Sequence, residues 1–168
     1  MAAEGTGEHS TFFAEALPDL DIQPTELDPA ALEIIEARRH LSGLPNLRAP
    51  VRLDAADPAS WAVRSAAAVV AINMVHISPW AATEGLVEGA GRILPPGGVL
   101  FLYGPYREAG VPTAPSNEAF DASLRARDPA WGLRDREVVE ALAGRHGLAL
   151  SERVEMPANN LSLVFRKA

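Results

Sequence analysis

Residues able to do chemistry gather at a few points in the chain. The first is Glu4-Gly5-Thr6-Gly7-Glu8-His9. Two glycines just ahead of a helical stretch let the backbone approach a ligand closely, and the helix N-terminus adds free N–H groups. A plain glycine turn is the alternative. A nicotinamide fingerprint would want a third glycine where Ser10 stands, so the spacing counts against a dehydrogenase. About twenty residues later come Glu26 and Asp28, at the end of a short strand candidate; a carboxylate there can accept both hydroxyls of a ribose. Asp28 stands directly before Pro29 and is placed to cap a helix, so Glu26 carries more of the functional weight. Asp54 follows Val51-Arg52-Leu53 and is either a strand-end carboxylate facing an adenine amino group or a surface turn residue.

A further group lies in Asn73-Met74-Val75-His76-Ile77-Ser78-Pro79-Trp80, after an apolar run. In open α/β sheets ligands lie beyond the carboxyl ends of the strands, and Asn73, His76 and Trp80 are placed to line that crevice. Tyr103 and Tyr106 end the next apolar run on the same side. The alternatives are a structural histidine and a core tyrosine with its hydroxyl satisfied. The 4 histidines show no metal-ligand spacing. No Gly-Xaa-Ser-Xaa-Gly elbow and no phosphate-binding Gly-Lys-Ser/Thr loop occur.

These residues need elements to hold them. Apolar periodicity predicts a helix over Ser10–Leu17, a short strand over Leu20–Pro24, a helix from Asp28-Pro29 to about Leu41 stopped by Gly43, and a short strand at Val51–Asp54. Ala66–Asn73 is a near-continuous apolar strand, the pattern of burial on both faces. A helix over Ala81–Ile93, a strand over Val99–Tyr103, and helices over Glu118–Arg127 and Asp135–His146 follow. The last two strands, Leu148–Glu155 and Leu161–Arg166, are too close for a helical crossover and predict an antiparallel hairpin. The alternation as a whole predicts one α/β domain with a parallel-rich sheet.

Composition narrows the function classes. The chain has 168 residues with 22 acidic against 15 basic, a formal charge of −7, which argues against non-specific nucleic-acid or anionic-membrane binding. The absence of cysteine rules out disulfides, a thiolate nucleophile and cysteine-ligated metals. No apolar run approaches a membrane span, and MAAEGTGEHS has neither a basic nor an apolar leader region, so a cytoplasmic location is the expectation.

The Glu-x-Gly-x-Gly segment, two strand-end acids and the final hairpin resemble class I S-adenosylmethionine-dependent methyltransferases. More specifically, the chain resembles the methyltransferase-like protein 26 family. That resemblance rests on Gly5–His9, Gln23–Asp28, Asn73–Trp80, Tyr103-Gly104-Pro105-Tyr106, Ser116-Asn117-Glu118-Ala119-Phe120-Asp121 and Met156–Leu163, and so covers essentially the whole chain. It implies a Rossmann-like methyltransferase fold with S-adenosylmethionine as cofactor. Glu4, Gly5 and Gly7 are implied at its methionine part, Glu26 at the ribose and Asp54 near the adenine, with Asn73 also in the set. In such a domain a helix and the first, central strand precede the glycine motif. This sequence starts at Met1-Ala2-Ala3, so the central strand is expected to be missing, leaving open sheet edges through which the chain could self-associate.

The function expected is methyl transfer to a small molecule or a protein, with Asn73, His76, Tyr103 and Tyr106 orienting the acceptor and His76 removing a proton where the acceptor carries one. The alternative is a non-catalytic binding or partner module on the same fold.

Overall fold

The computed structural model describes residues 5–168, so Glu4 lies outside the described residues. The first helix, α1 (Glu8–Ala16), starts two residues before the expected Ser10 because Gly7, at φ 78°, turns the chain directly into it. The Ser10 and Thr11 hydroxyls then fold back onto the Gly7 carbonyl, at 3.2 and 2.8 Å. The strand expected over Leu20–Pro24 lies further on, as β1 (Thr25–Glu26); Ile22 makes only an isolated bridge to Leu47. Pro24 has no N–H for a ladder, and its carbonyl accepts the first bond, from the Val51 N–H at 3.1 Å.

Helix α2 (Pro29–Ser42) has the two ends read from sequence. The Asp28 carboxylate accepts from the Ala30 N–H at 3.1 Å, and Gly43 closes the helix at φ 63°. Strand β2 (Val51–Arg52) pairs parallel with β1, placing Glu26 beside Arg52. Strand β3 (Ala68–Ile72) ends where Asn73 takes up φ 58°. It is followed by α3 (Trp80–Ile93), β4 (Val99–Gly104) and a short β5 (Tyr106–Arg107). Helix α4 (Pro115–Arg127), β6 (Arg134–Asp135) and α5 (Arg136–Arg145) lead to the final strands β7 (Leu148–Met156) and β8 (Asn160–Lys167).

The four-stranded sheet has the order β3-β4-β8-β7. β3 and β4 are parallel, and β8 runs antiparallel to both β4 and β7, forming the expected C-terminal hairpin. Two short parallel pairs, β1–β2 and β5–β6, stand apart from it, the second not foreseen. Among the described residues β1 pairs only with β2, and β3 only with β4, so the sheet is divided between β1 and β3.

One face of the four-stranded sheet holds the core. Val69, Leu100 and Phe165 stand side by side, as do Ala71, Leu102 and Leu163, and all are buried. Against them pack Leu86, Val87 and Ala90 of α3 and Val139 and Leu142 of α5. Each large aliphatic side chain so buried contributes ~1.5–3 kcal/mol. Small residues of α3 also let Trp61 pack against the helix: a Cβ on Gly89 would overlap the ring of that buried tryptophan. The expectation that β3 is buried on both faces is corrected. Ala68 is exposed, and Val70 and Ile72 are only half-buried, because the helices α3 and α5 cover just one side of it.

Candidate active site

The glycine loop and the strand-end acid meet directly. The Gly5 N–H donates to Glu26 Oε2 at 2.9 Å, across 21 residues of sequence. The other carboxylate oxygen accepts from the Leu27 N–H at 2.7 Å, so Glu26 is held at the tip of β1 pointing at the loop. Gly5 and Gly7 both have positive φ, 66° and 78°. Among the described residues, its chain neighbours aside, no heavy atom stands within 4 Å of where a Gly5 Cβ would be, whereas one on Gly7 would lie 3.2 Å from Ile35. The loop is therefore open on one side and seated on α2 on the other. Arg38 completes the seat: its Nε donates to the Thr6 carbonyl at 2.9 Å, and its guanidinium pairs with Glu8 at 3.4 Å. Sequence reading missed Arg38, which stands on a helix face with no local signal for a loop 32 residues away.

Asp54 lies just beyond β2, the strand beside Glu26; the Leu53 N–H donates to the Glu26 carbonyl at 2.9 Å. Its Oδ1 accepts from the Ala56 N–H at 2.9 Å, and its carbonyl accepts from buried Trp61 Nε1 at 2.7 Å. Gly5, Gly7, Glu26 and Asp54 thus gather at the ends of two neighbouring strands.

The second group sits at the ends of β3 and β4. The Asn73 N–H donates to the Tyr103 carbonyl at 2.8 Å, and the Asn73 carbonyl accepts from the N–H groups of His76 and Ile77 at 3.1 and 3.2 Å. This tight turn drives His76 inward. Its side chain is fully buried, and neither ring nitrogen has a hydrogen-bond partner. Burial, helped by the nearby Arg134 charge and opposed by Asp121, lowers its pKa to about 3, so the ring is neutral at ordinary pH. It stands edge-on to Tyr106, ring centres 4.8 Å apart. Tyr106 is also buried, its hydroxyl unpartnered and its pKa pushed up by burial. His76 and Tyr106 are accordingly interior residues, not walls of an open crevice; the apolar burial of the 73–78 turn outweighs the polarity of the imidazole. Asn73 and Tyr103 are half-buried at the strand ends.

Trp80, also half-buried, lies under the Arg134 guanidinium at 5.8 Å. Arg134 donates to the carbonyls of Val75, Ser78 and Ala130 at 3.3, 2.9 and 2.8 Å and so fixes the turn carrying His76. Asp121, on α4, is the centre of a second polar cluster. It accepts from the Leu133 N–H at 2.7 Å, Arg125 at 2.9 Å and Arg107 at 3.2 Å. Burial alone would raise the Asp121 pKa, but these donors outweigh it and hold the carboxyl below its usual range.

The mixed sheet, with its parallel β3–β4 pair and final antiparallel hairpin, is a Rossmann-like α/β fold of methyltransferase architecture. The chain belongs to the family described as "Protein of unknown function (DUF938)", which matches residues 1–167. Among solved structures it is similar to an O-methyltransferase family protein from Burkholderia thailandensis, with a TM-score of 0.86 and 16% identity over 99% of this chain and 49% of that one. The mitomycin 7-O-methyltransferase MmcR gives a TM-score of 0.84 and 16% identity over 99% and 48%. A protein described as "A Pericyclic Reaction enzyme" gives 0.76 and 16% over 99% and 42%. The chain therefore spans about half the length of these structures, and the same fold carries more than one chemistry.

Proposed function

We propose that this chain binds S-adenosylmethionine and forms the catalytic part of a methyltransferase acting on a small molecule or a protein, within the methyltransferase-like protein 26 family that its motifs resemble. The observation that carries the reading is the bond from the Gly5 N–H to the Glu26 carboxylate. It joins a ligand-approachable glycine turn to an acid able to accept ribose hydroxyls. The residues fit the cofactor: among the described residues the space beside Gly5 is open, the Glu26 carboxylate accepts the Gly5 N–H, and Asp54 lies just beyond the neighbouring strand. Bound there, S-adenosylmethionine supplies an electrophilic methyl group on a sulfonium. The chain's own work is then to place the acceptor in line and keep water away. Asn73 and Tyr103, half-buried at the strand ends, are proposed to orient it.

Calorimetric titration with S-adenosylhomocysteine tests the reading. Wild-type chain should bind, and Glu26→Ala should bind ~1–3 kcal/mol more weakly through the polar groups it strands. No binding by the wild type, or equal binding by the variant, refutes it.

A second reading, a non-catalytic methyltransferase-like binding module, is favoured by the pairing of β1 only with β2, and of β3 only with β4, among the described residues. Transfer of a labelled methyl group to any acceptor would exclude it.

A further inference from the structure

Helix α2 turns one face inward and one outward, and both are apolar. On the inward face Ile35 is buried against the Gly7 turn. On the opposite side stand Ala30, Ile34, Ala37 and Leu41, all exposed. Their spacing is 4, 3 and 4 residues, the repeat of a coiled-coil seam, which sets all four in one narrow stripe. Ile34 is 48% and Leu41 89% exposed, so two large aliphatic side chains project into solvent where a surface helix ordinarily carries charge. Scattered apolar residues on a surface are common; four in register along ~17 Å of helix are not.

The stripe is complementary to itself. Laid antiparallel on a second copy, with Ile34 level with the partner's Ala37, it forms four layers. Ala30 meets the partner's Leu41, Ile34 meets the partner's Ala37, and the same two contacts recur in reverse. Every layer then sets one large side chain against one alanine, so the seam is filled evenly along its length. A parallel pair would set isoleucine on isoleucine and alanine on alanine, alternating crowded and empty layers. The flanks agree with the antiparallel pairing. Glu33, exposed on one edge of the stripe, comes beside the partner's His40, and on the other edge Arg38 lies over the partner's Ala31, which carries no charge. A parallel pair would call on Arg38 for the partner's Glu33, yet Arg38 is taken within its own chain by the Thr6 carbonyl and Glu8. A membrane surface is a poorer occupant, because helices that lie on one offer free Lys and Arg along the polar face. Here Arg38 and Arg39 are held by Glu8 and Glu36.

We propose that the chain forms a reversible dimer with a second copy of itself through the outward face of α2, the two helices antiparallel about a two-fold axis. Each contact occurs twice with the roles exchanged, as a two-fold interface requires. The inference stands independently of the methyltransferase reading. It places the interface one side chain from the glycine loop, because Arg38 flanks the seam and its Nε donates to the Thr6 carbonyl.

Sedimentation equilibrium tests it. A four-layer seam is a small contact, so dimer should build up at ~0.1–0.5 mM chain. Ile34→Glu and Leu41→Lys should each weaken the dimer tenfold or more. Both positions are exposed, so circular dichroism and melting of the dilute, monomeric variants should match the wild type. His40→Glu, which faces Glu33 across the seam, should weaken association several-fold, and adding Glu33→Lys should restore it. The chain has no cysteine, so orientation can be read by oxidative cross-linking. Mixed Ala30→Cys and Leu41→Cys chains should link to each other in preference to themselves. Monomer throughout that concentration range, undiminished association of Ile34→Glu, or self-linkage of Ala30→Cys in preference to the mixed link overturns the inference.

Discussion

Gly104 is a tightly packed point of the interior beside His76 and Asn73, and replacing it tests that packing. It ends β4 at φ 153°, a conformation that side chains rarely adopt. A Cβ there would come 2.5 Å from His76 Nε2, 2.7 Å from its Cδ2 and 3.0 Å from Asn73 Oδ1. His76 has no room to retreat, being fully buried and packed edge-on against Tyr106. Overpacking costs ~1–3 kcal/mol, and the unfavourable backbone conformation adds ~1–2 kcal/mol. Together Gly104→Ala should lose ~2–5 kcal/mol, a large part of the ~5–15 kcal/mol by which a domain is stable. At ~2–4 °C per kcal/mol for a chain this size, the melting temperature should fall by ~4–20 °C. Urea denaturation of Gly104→Ala, in wild-type and His76→Ala backgrounds, apportions the two terms. Without the imidazole only the backbone cost of ~1–2 kcal/mol should remain. The same loss in both backgrounds would mean that His76 does not pack on Gly104, and would refute the placement of the 73–78 turn.

Tyr106→Phe should raise stability by ~1 kcal/mol, because it removes a buried hydroxyl that has no partner; a lower urea midpoint would show that the hydroxyl is bonded. Stability should fall with acid through His76. Its folded pKa is lowered from 6.5 to about 3, so the unfolded chain takes up a proton first, and stability present above pH 6.5 is lost as pH falls toward 3. The slope is ~1.4 kcal/mol per pH unit at most, and His76→Phe should flatten it; an unchanged pH profile for the variant would contradict the burial. Glu108 is pulled below its ordinary range by the Arg153 hydrogen bonds against the opposing effect of burial, with Arg136 assisting, so it contributes stability above pH 4.5 that is lost in more acid solution. Glu108→Gln should remove that acid-sensitive part, so that the urea midpoint falls less steeply below pH 4.5 than in the wild type; an unchanged acid profile would count against the Arg153 pairing.

The sequence by itself determined what depends on neighbours along the chain. Asp28-Pro29 and Gly43 bound α2 because capping and left-handed glycine are local chemistry. The short connection between the last two strands left only an antiparallel hairpin, and that is what forms. The apolar runs of β3 and β4 were legible too, and so was Glu26 as the acid facing the glycine loop, since spacing and strand ends suffice to suggest it. Tertiary structure decided what depends on residues far apart. The first strand moved past Pro24 because its partner, Val51, needed an N–H acceptor there. One face of β3 stayed half-covered because α3 and α5 lie on the other. His76 became a buried neutral ring through the turn at Asn73, which no residue type announces. Arg38 reached a loop 32 residues away, and Asn117 met Asn159 across 42 residues. Periodicity along a chain reports which side of an element is apolar; it carries no record of which distant polar group that side will meet, because that is set by packing in three dimensions.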